Sequence, residues 1–278
     1  MTRLGSQHLL ALAALALFLV LPLLVADWVA GDLAIYFAYA LFAVSLAFAW
    51  GHVGLLSLGH AVYFGIGAYA MSVVTLGMVP GLPHLQSTWV GFAAALLASG
   101  GAAWLLGWFF FANRGLRGAF FGIVTLALAF VFERLAINSS FLGGLNGLMS
   151  VPPINLGLNG DGLEIYDPIP LYYLMLGVLA FVLAGMMAVA ASRFGISLSA
   201  LRENELRAWT LGHDVRRLKM RAFALSGAIA VRFLESRLSS ALGASWPMAV
   251  GLFFILSVIF FPNGLFGELI VRLDRWRR

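Results

Sequence analysis

The chain has 278 residues, of which 62% are hydrophobic and 10% charged, with a formal net charge of +5 and no cysteine. A soluble domain averages roughly 45–50% apolar and about 25% charged residues, so this composition describes an integral membrane protein; the lack of cysteine excludes disulfides and thiolate metal sites. The basic residues stand beside apolar runs, as the positive-inside rule expects, so the charge gives no reason to invoke a nucleic-acid partner.

In chain order, residues 9–25 form a first apolar run preceded by Arg3 and followed by Asp27, Trp28 and Asp32. It is longer than the h-region of a signal peptide, about 7–15 residues, and reads as a retained span. Further spans are expected at 33–50, at 61–79 before a loop with Pro80, Pro83 and His84, and at 89–111. A basic turn from Asn113 to Gly118, with Arg114 and Arg117, leads to a fifth span at 119–137. Each run approaches the ~20 apolar residues that carry a helix across ~30 Å of hydrocarbon. The loop 138–169 holds Asp161, Glu164 and Asp167 without Lys or Arg, and a sixth span follows at 170–191.

Residues 192–221 are the one long charged island, with seven of the seventeen Lys and Arg among Glu203, Glu205 and Asp214. With Leu201, Leu206, Ala208, Trp209 and Leu211 they read as a short amphipathic helix that Gly212 ends. A helix of this kind is either a solvated surface element or a docking element. With the N-terminus inside, six crossings place the island in the cytoplasm and the acidic loop outside. Residues 222–231 are too short to span before Arg232, Glu235 and Arg237 interrupt them. A last run at 246–262 leads to a tail with Arg272, Arg275, Arg277 and Arg278. Either a strained helix from 222 to 243 crosses the bilayer, or spans are missing there. The expected fold is an all-α integral membrane protein, one transmembrane domain over 1–278. It is a polytopic bundle of about seven to eight helices with a re-entrant or broken helix near 51–65.

Small and polar residues mark a translocation path. Ser57, Ala61 and Gly65 fall four apart on one helical face that invites close packing, and Gly54 and Gly59 permit a break. His52 and His60 add polar groups that face a cavity or a partner, because exposure to lipid is costly. Ordinary tight helix packing is the competing reading. Thr125 is a further pore-facing candidate, against a plain hydrogen bond to its own helix. Glu133 and Arg134 read as an interfacial or interhelical ion pair. Gly143, Gly144, Asn146 and Gly147 read as a turn followed by a half-helix start whose N–H groups bind a carboxylate, or as a turn alone. No P-loop, HExxH or GxSxG is present, and the single lysine is Lys219, so an enzyme is not expected and energy must come from a partner.

The segments WGHVGLLSLGHAVYFGIGAYA, RGLRGAFFGIVTLALAF, GGLNGL, FGISLSALRENELRAWTLGHDVRRLKMRAFALSGAIA and FFPNGLFG occur in this order. Together they resemble the LivM-type permeases of bacterial ABC importers, and the resemblance covers nearly the whole chain. It implies uptake of branched-chain amino acids, or of urea or short amides in close relatives, across the bacterial inner membrane, with no cofactor. The implied partners are two ATP-binding subunits, a homologous second permease and a periplasmic substrate-binding protein, in the lipid bilayer. It also makes 192–221 a cytoplasmic coupling loop and 138–169 a periplasmic loop. Ala208 and Gly212 match the small residues of the family's coupling helix, with Arg202, Glu203, Asn204 and Glu205 ahead of them; Leu206 and Arg207 depart from its acidic-alanine pattern. After Ala230 the chain lacks a Gly-Ala-rich span, an external segment and a GGxGTxxGP-like stretch usual in the family. A non-transporting scaffold or an inactive, internally deleted permease is therefore the alternative reading.

Overall fold

The structure, a computed structural model, describes residues 13–81, 86–111, 116, 118–155, 157 and 164–229. The chain divides into two compact units. The first holds residues 1–24 and 235–278, and its described part contains one apolar helix, α1 (Ala13–Leu23). The second, Val25–Leu234, contains α2 (Asp27–Phe48), α3 (Ala61–Thr75), α4 (Thr88–Phe111), α5 (Gly118–Asn138), α6 (Pro168–Ala191), α7 (Arg193–Glu203), α8 (Glu205–Thr210) and α9 (Val215–Ile229). A two-stranded antiparallel pair, β1 (Ile154–Asn155) and β2 (Glu164–Ile165), lies in the loop before α6. The chain is thus an all-α polytopic membrane protein. Among the described residues four segments, Asp27–Val53, Thr88–Phe111, Phe120–Asn138 and Pro168–Ala191, are long and apolar enough to cross a bilayer.

Helices α4, α5 and α6 coincide with the fourth, fifth and sixth expected spans. Two other spans differ. Helix α2 starts well before residue 33, so Asp27, Trp28 and Asp32 are helical, and the Asp27 carboxylate in the first turn complements the positive helix end. Helix α3 stops at Thr75 rather than 79, because Gly77 at φ +67° lets the Gly77 and Met78 N–H groups turn back onto the Val74 and Val73 carbonyls. Its 15 residues rise only about 22 Å, short of the ~30 Å hydrocarbon layer.

The charged island also divides differently. It is not one amphipathic helix but α7, α8 and the first turns of α9, so Arg216, Arg217, Lys219 and Arg221 belong to the helix that continues through Ala222. Expectations concerning Arg3, Pro83, His84, Asn113, Arg114, Arg117, Asp161 and everything after Ile229 lie outside the described residues. They include the 222–243 helix beyond Ile229, the 246–262 span, the basic tail and the segment expected to be missing after Ala230.

The broadest packing joins α4 to α9, α3 to α4 and α2 to α6. Helix α9 buries Lys219, Met220, Ala222, Phe223, Ser226 and Gly227 along one side. Helix α4 answers with small residues. A Cβ on Gly100 would lie 3.1 Å from that of Ala228, and one on Gly227 would meet the Ala103 Cβ at 2.3 Å. Such a seam replaces the hydrophobic driving force that lipid cannot provide with close backbone approach. A cluster of Phe110, Phe111, Phe121, Phe223 and Tyr63 fills the space beside it, the Tyr63 and Phe223 rings packing edge-on at 5.3 Å.

Gly65 departs from the expected close-packed face. Ser57 precedes α3, Ala61 is exposed, and nothing in this chain comes within 4 Å of a Cβ placed on Gly65. Gly227→Ala should therefore lower the thermal midpoint of the purified protein in detergent, by an overpacking cost of about 1–3 kcal/mol. Gly101→Ala, where a Cβ meets nothing within 4 Å, should leave it unchanged.

Candidate functional site

The site grows from the break in α2. The helix ends in a π-helical turn, Ala49–Val53, and Gly54 at φ +76° accepts the left-handed conformation that directs the chain away. Residues 55–60 are non-helical before α3 starts, which is the broken helix expected from the glycines. Irregular backbone survives at membrane depth only when protein groups satisfy it.

Two side chains from distant elements supply that satisfaction. Thr125 Oγ1 on α5 accepts from the Leu58 N–H at 3.2 Å while donating to the Gly122 carbonyl at 2.9 Å. The two readings of Thr125, helix-bonded and facing the break, therefore hold together. Beside it a Cβ on Gly59 would fall 1.9 Å from the Thr125 carbonyl oxygen, so the position requires glycine. The Arg202 guanidinium on α7 donates to the Gly51 carbonyl in the middle of the π turn, and its Cγ lies 3.1 Å from where a Cβ of Gly54 would sit. A cation there also complements the negative end of α2.

His60 closes the break from below α3. Ser45 Oγ on α2 donates to the Ser226 carbonyl on α9 at 2.6 Å, and Ser226 Oγ donates to the Ser45 carbonyl at 2.6 Å. Both hydroxyl hydrogens are thereby used. With both hydroxyls donating to carbonyls, His60 Nε2, 2.7 Å from Ser45 Oγ and 3.1 Å from Ser226 Oγ, is placed to donate to them. The ring lies among Phe42, Tyr63 and Phe223. His60 Nδ1, Ser57 Oγ and His52 Nδ1 are buried with no hydrogen-bond partner among the described residues.

Gly54, Ser57, Gly59, His60 and Thr125 are thus brought together, whereas Gly144 and Asn146 are not. Gly144 packs near the Ile137 carbonyl, about 18 Å along α5 from Thr125. There the chain forms single 3₁₀ turns, Ser140–Leu142 and Gly144–Asn146, rather than a half-helix start. Gly143 and Gly147 take positive φ, and a Cβ on Gly143 would meet the Gly147 carbonyl, so these glycines serve the turn. Glu133 and Arg134 are both exposed on α5 and form no ion pair with each other; Arg134 borders a shallow groove with Phe130, Val131, Leu135 and Asn138.

The island is built by local capping. Ser192 Oγ accepts from the Gly195 N–H, Asn204 Oδ1 from the Arg207 N–H, and Asp214 Oδ1 from the Arg217 N–H, opening α7, α8 and α9 in turn. Gly212, at φ +86°, ends α8 as expected: its N–H returns to Trp209 and that of His213 to Ala208. The small residue Ala208 faces inward and is 2% exposed, while Leu206, Trp209 and Leu211 are 69%, 65% and 78% exposed. The exposed apolar side chains of this stretch are thus Leu206, Trp209 and Leu211, and Ala208 packs within the chain. Arg202 is committed to Gly51, Asn204 to its cap, and Glu205 to Lys219 at 3.0 Å; Glu203 is exposed. Sequence reasoning missed Ser45, Ser226 and this ion pair. The available signal was the lone lysine, seven residues before Ser226 on one helical face.

Thr125→Val should free the Leu58 N–H and cost about 1–3 kcal/mol for an unsatisfied buried donor. Hydrogen exchange of a peptide covering 54–60 should accelerate in that variant and stay protected in Thr125→Ser.

The family described as the branched-chain amino acid transport system / permease component matches residues 30–260. The high-affinity branched-chain amino acid transport system permease protein LivM of Escherichia coli (strain K12) is 30% identical over 81% of this chain and 56% of its own length. Its namesake from Salmonella typhimurium is 29% identical over the same shares. The chain thus spans about half the length of the curated relatives it matches. No solved structure matches it. With a helical membrane fold broken at Gly54 and a family match covering most of its residues, the chain belongs to the branched-chain amino acid transport permeases, a family of transport proteins and not enzymes.

Proposed function

We propose that the chain is a permease subunit of an ATP-driven importer for branched-chain amino acids in the bacterial inner membrane. A homologous second permease completes the path, two ATP-binding subunits drive it, and a periplasmic binding protein delivers substrate. Loop 192–221 is then the cytoplasmic coupling loop and 138–169 the periplasmic one. The family match supports the transport reading.

The single observation that carries the coupling is the exposed apolar edge of Leu206 and Trp209 on α8, a helix of six residues, with Leu211 exposed just after it. Isolated helices shorter than about 12–15 residues are marginal in water, and an exposed apolar edge on one is stabilised by packing against a partner. A groove on the ATP-binding subunit is the partner we assign to it, with Gly212 supplying the turn behind the edge. The translocation path runs by the Gly54–His60 break, and the open side of α3 at Gly65 faces that path or the second permease. ATP-driven motion of the island would rock the bundle between outward-open and inward-open states.

Three outcomes are expected. A cysteine at Ser139 should react with an impermeant external thiol reagent in intact cells and one at Ser199 should not; equal labelling would remove the assigned topology. Trp209→Glu should keep the chain in the membrane while abolishing co-purification with the ATP-binding subunit, and retained co-purification would leave α8 a solvated element. Vesicles carrying the assembled complex and binding protein should accumulate labelled leucine on ATP addition, with excess isoleucine competing and excess urea not. Assembly without uptake would instead identify a non-transporting scaffold.

A further inference from the structure

Helix α9 carries two polar attachments on one buried side. At its start Lys219 Nζ lies 3.0 Å from Glu205 Oε2 of α8, the lysine side chain 7% and the glutamate 27% exposed, and 5.6 Å from the centroid of the Phe111 ring of α4. Seven residues on, about 10 Å along the axis, Ser226 bonds reciprocally with Ser45 of α2 and meets His60 Nε2. Ala222 and Phe223 lie between them, also buried. Two attachments two turns apart on one face are rigidly related, because the intervening helix cannot twist without breaking its own hydrogen bonds.

We infer that α9 is a transmission strut: the Lys219–Glu205 pair fastens it to α8, and the Ser226–Ser45–His60 junction fastens it to the break between α2 and α3. Displacement of α8 is then delivered to the backbone at residues 54–60 through one helix. The ion pair suits the first joint, since Lys219 is buried and removing Glu205 would strand its charge. The serine–histidine junction suits the second, because its two hydroxyls and the His60 ring join three elements. Arg202, which joins α7 to the Gly51 carbonyl, provides a parallel hold on the same break, so the strut works against a fixed neighbour.

This inference rests on the permease reading. It is tested in the reconstituted complex with its ATP-binding subunits and binding protein, the readout being substrate accumulated per ATP hydrolysed. Failure of the wild-type complex to assemble or to transport would overturn the permease reading itself. With a transporting wild type, Lys219→Met and Glu205→Gln should each retain assembly and basal ATP hydrolysis but lower uptake per ATP about tenfold. Their combination should be no worse than either alone, and Lys219→Arg should preserve coupling. Ser226→Ala, which leaves α8 untouched, should uncouple in the same way. Should a single charge variant fail to fold, the reversed pair Glu205→Lys with Lys219→Glu restores opposite charges and should restore uptake per ATP. Normal coupling in Ser226→Ala, or losses from Lys219→Met and Glu205→Gln that multiply, would overturn the strut.

Discussion

A backbone that leaves helical geometry inside hydrocarbon must find its hydrogen-bond partners in protein, and much of the arrangement of this chain follows from that demand. The break after Gly54 leaves the Gly51 carbonyl and the Leu58 N–H without helical partners. Each is met by a side chain from far along the sequence, Arg202 from α7 and Thr125 from α5. The close contact of Gly59 with the Thr125 carbonyl follows, because Thr125 reaches Leu58 only when the two backbones nearly touch. Helix α3 can then be short without leaving polar ends in lipid.

The same demand explains the buried polar groups of α9. Hydrogen bonds between membrane helices average about 0.6 kcal/mol and rarely exceed about 1.7 kcal/mol, so the Ser45–Ser226–His60 junction contributes modestly to stability. Its effect is orientational. It admits one rotation of α9 about its axis, and that rotation also presents Lys219 to Glu205 and to Phe111. The small residues of α4 serve the same registration from the other side, since Gly100 and Ala103 leave room only for the face that α9 turns toward them.

How much of this could be read in the sequence depended on the range of each interaction. Helices α4, α5 and α6 announce themselves by continuous apolar composition. Gly212 could be read as a stop because the left-handed turn it makes is decided within a few residues. Asn204 and Asp214 act over three residues as caps, though their charged surroundings concealed that role. The break near Gly54 was legible from glycine content, but what grips it was not: Ser45 and Ser226 stand 181 residues apart, and no local pattern pairs them. The surroundings of Ala208 were illegible for a related reason. A small residue on a short helix signals a close contact without saying on which side, and here the contact lies within the chain. Arg202 was read only as part of the coupling loop, because the Gly51 carbonyl it serves lies 151 residues away.

Helix α5 meets the rest of its unit along one side, through the Thr125 seam with residues 58 and 59 and through Phe121 in the aromatic cluster, while much of its apolar surface, including Phe120, Ile123, Phe130 and Leu135, is exposed. Its stability as a single helix owes little to neighbours, because lipid alone supports a continuous apolar span. The reverse holds for the Leu58 N–H within the break, whose partner is supplied by α5. The break after α2 therefore completes its hydrogen bonds only with a helix more than fifty residues downstream in place beside it.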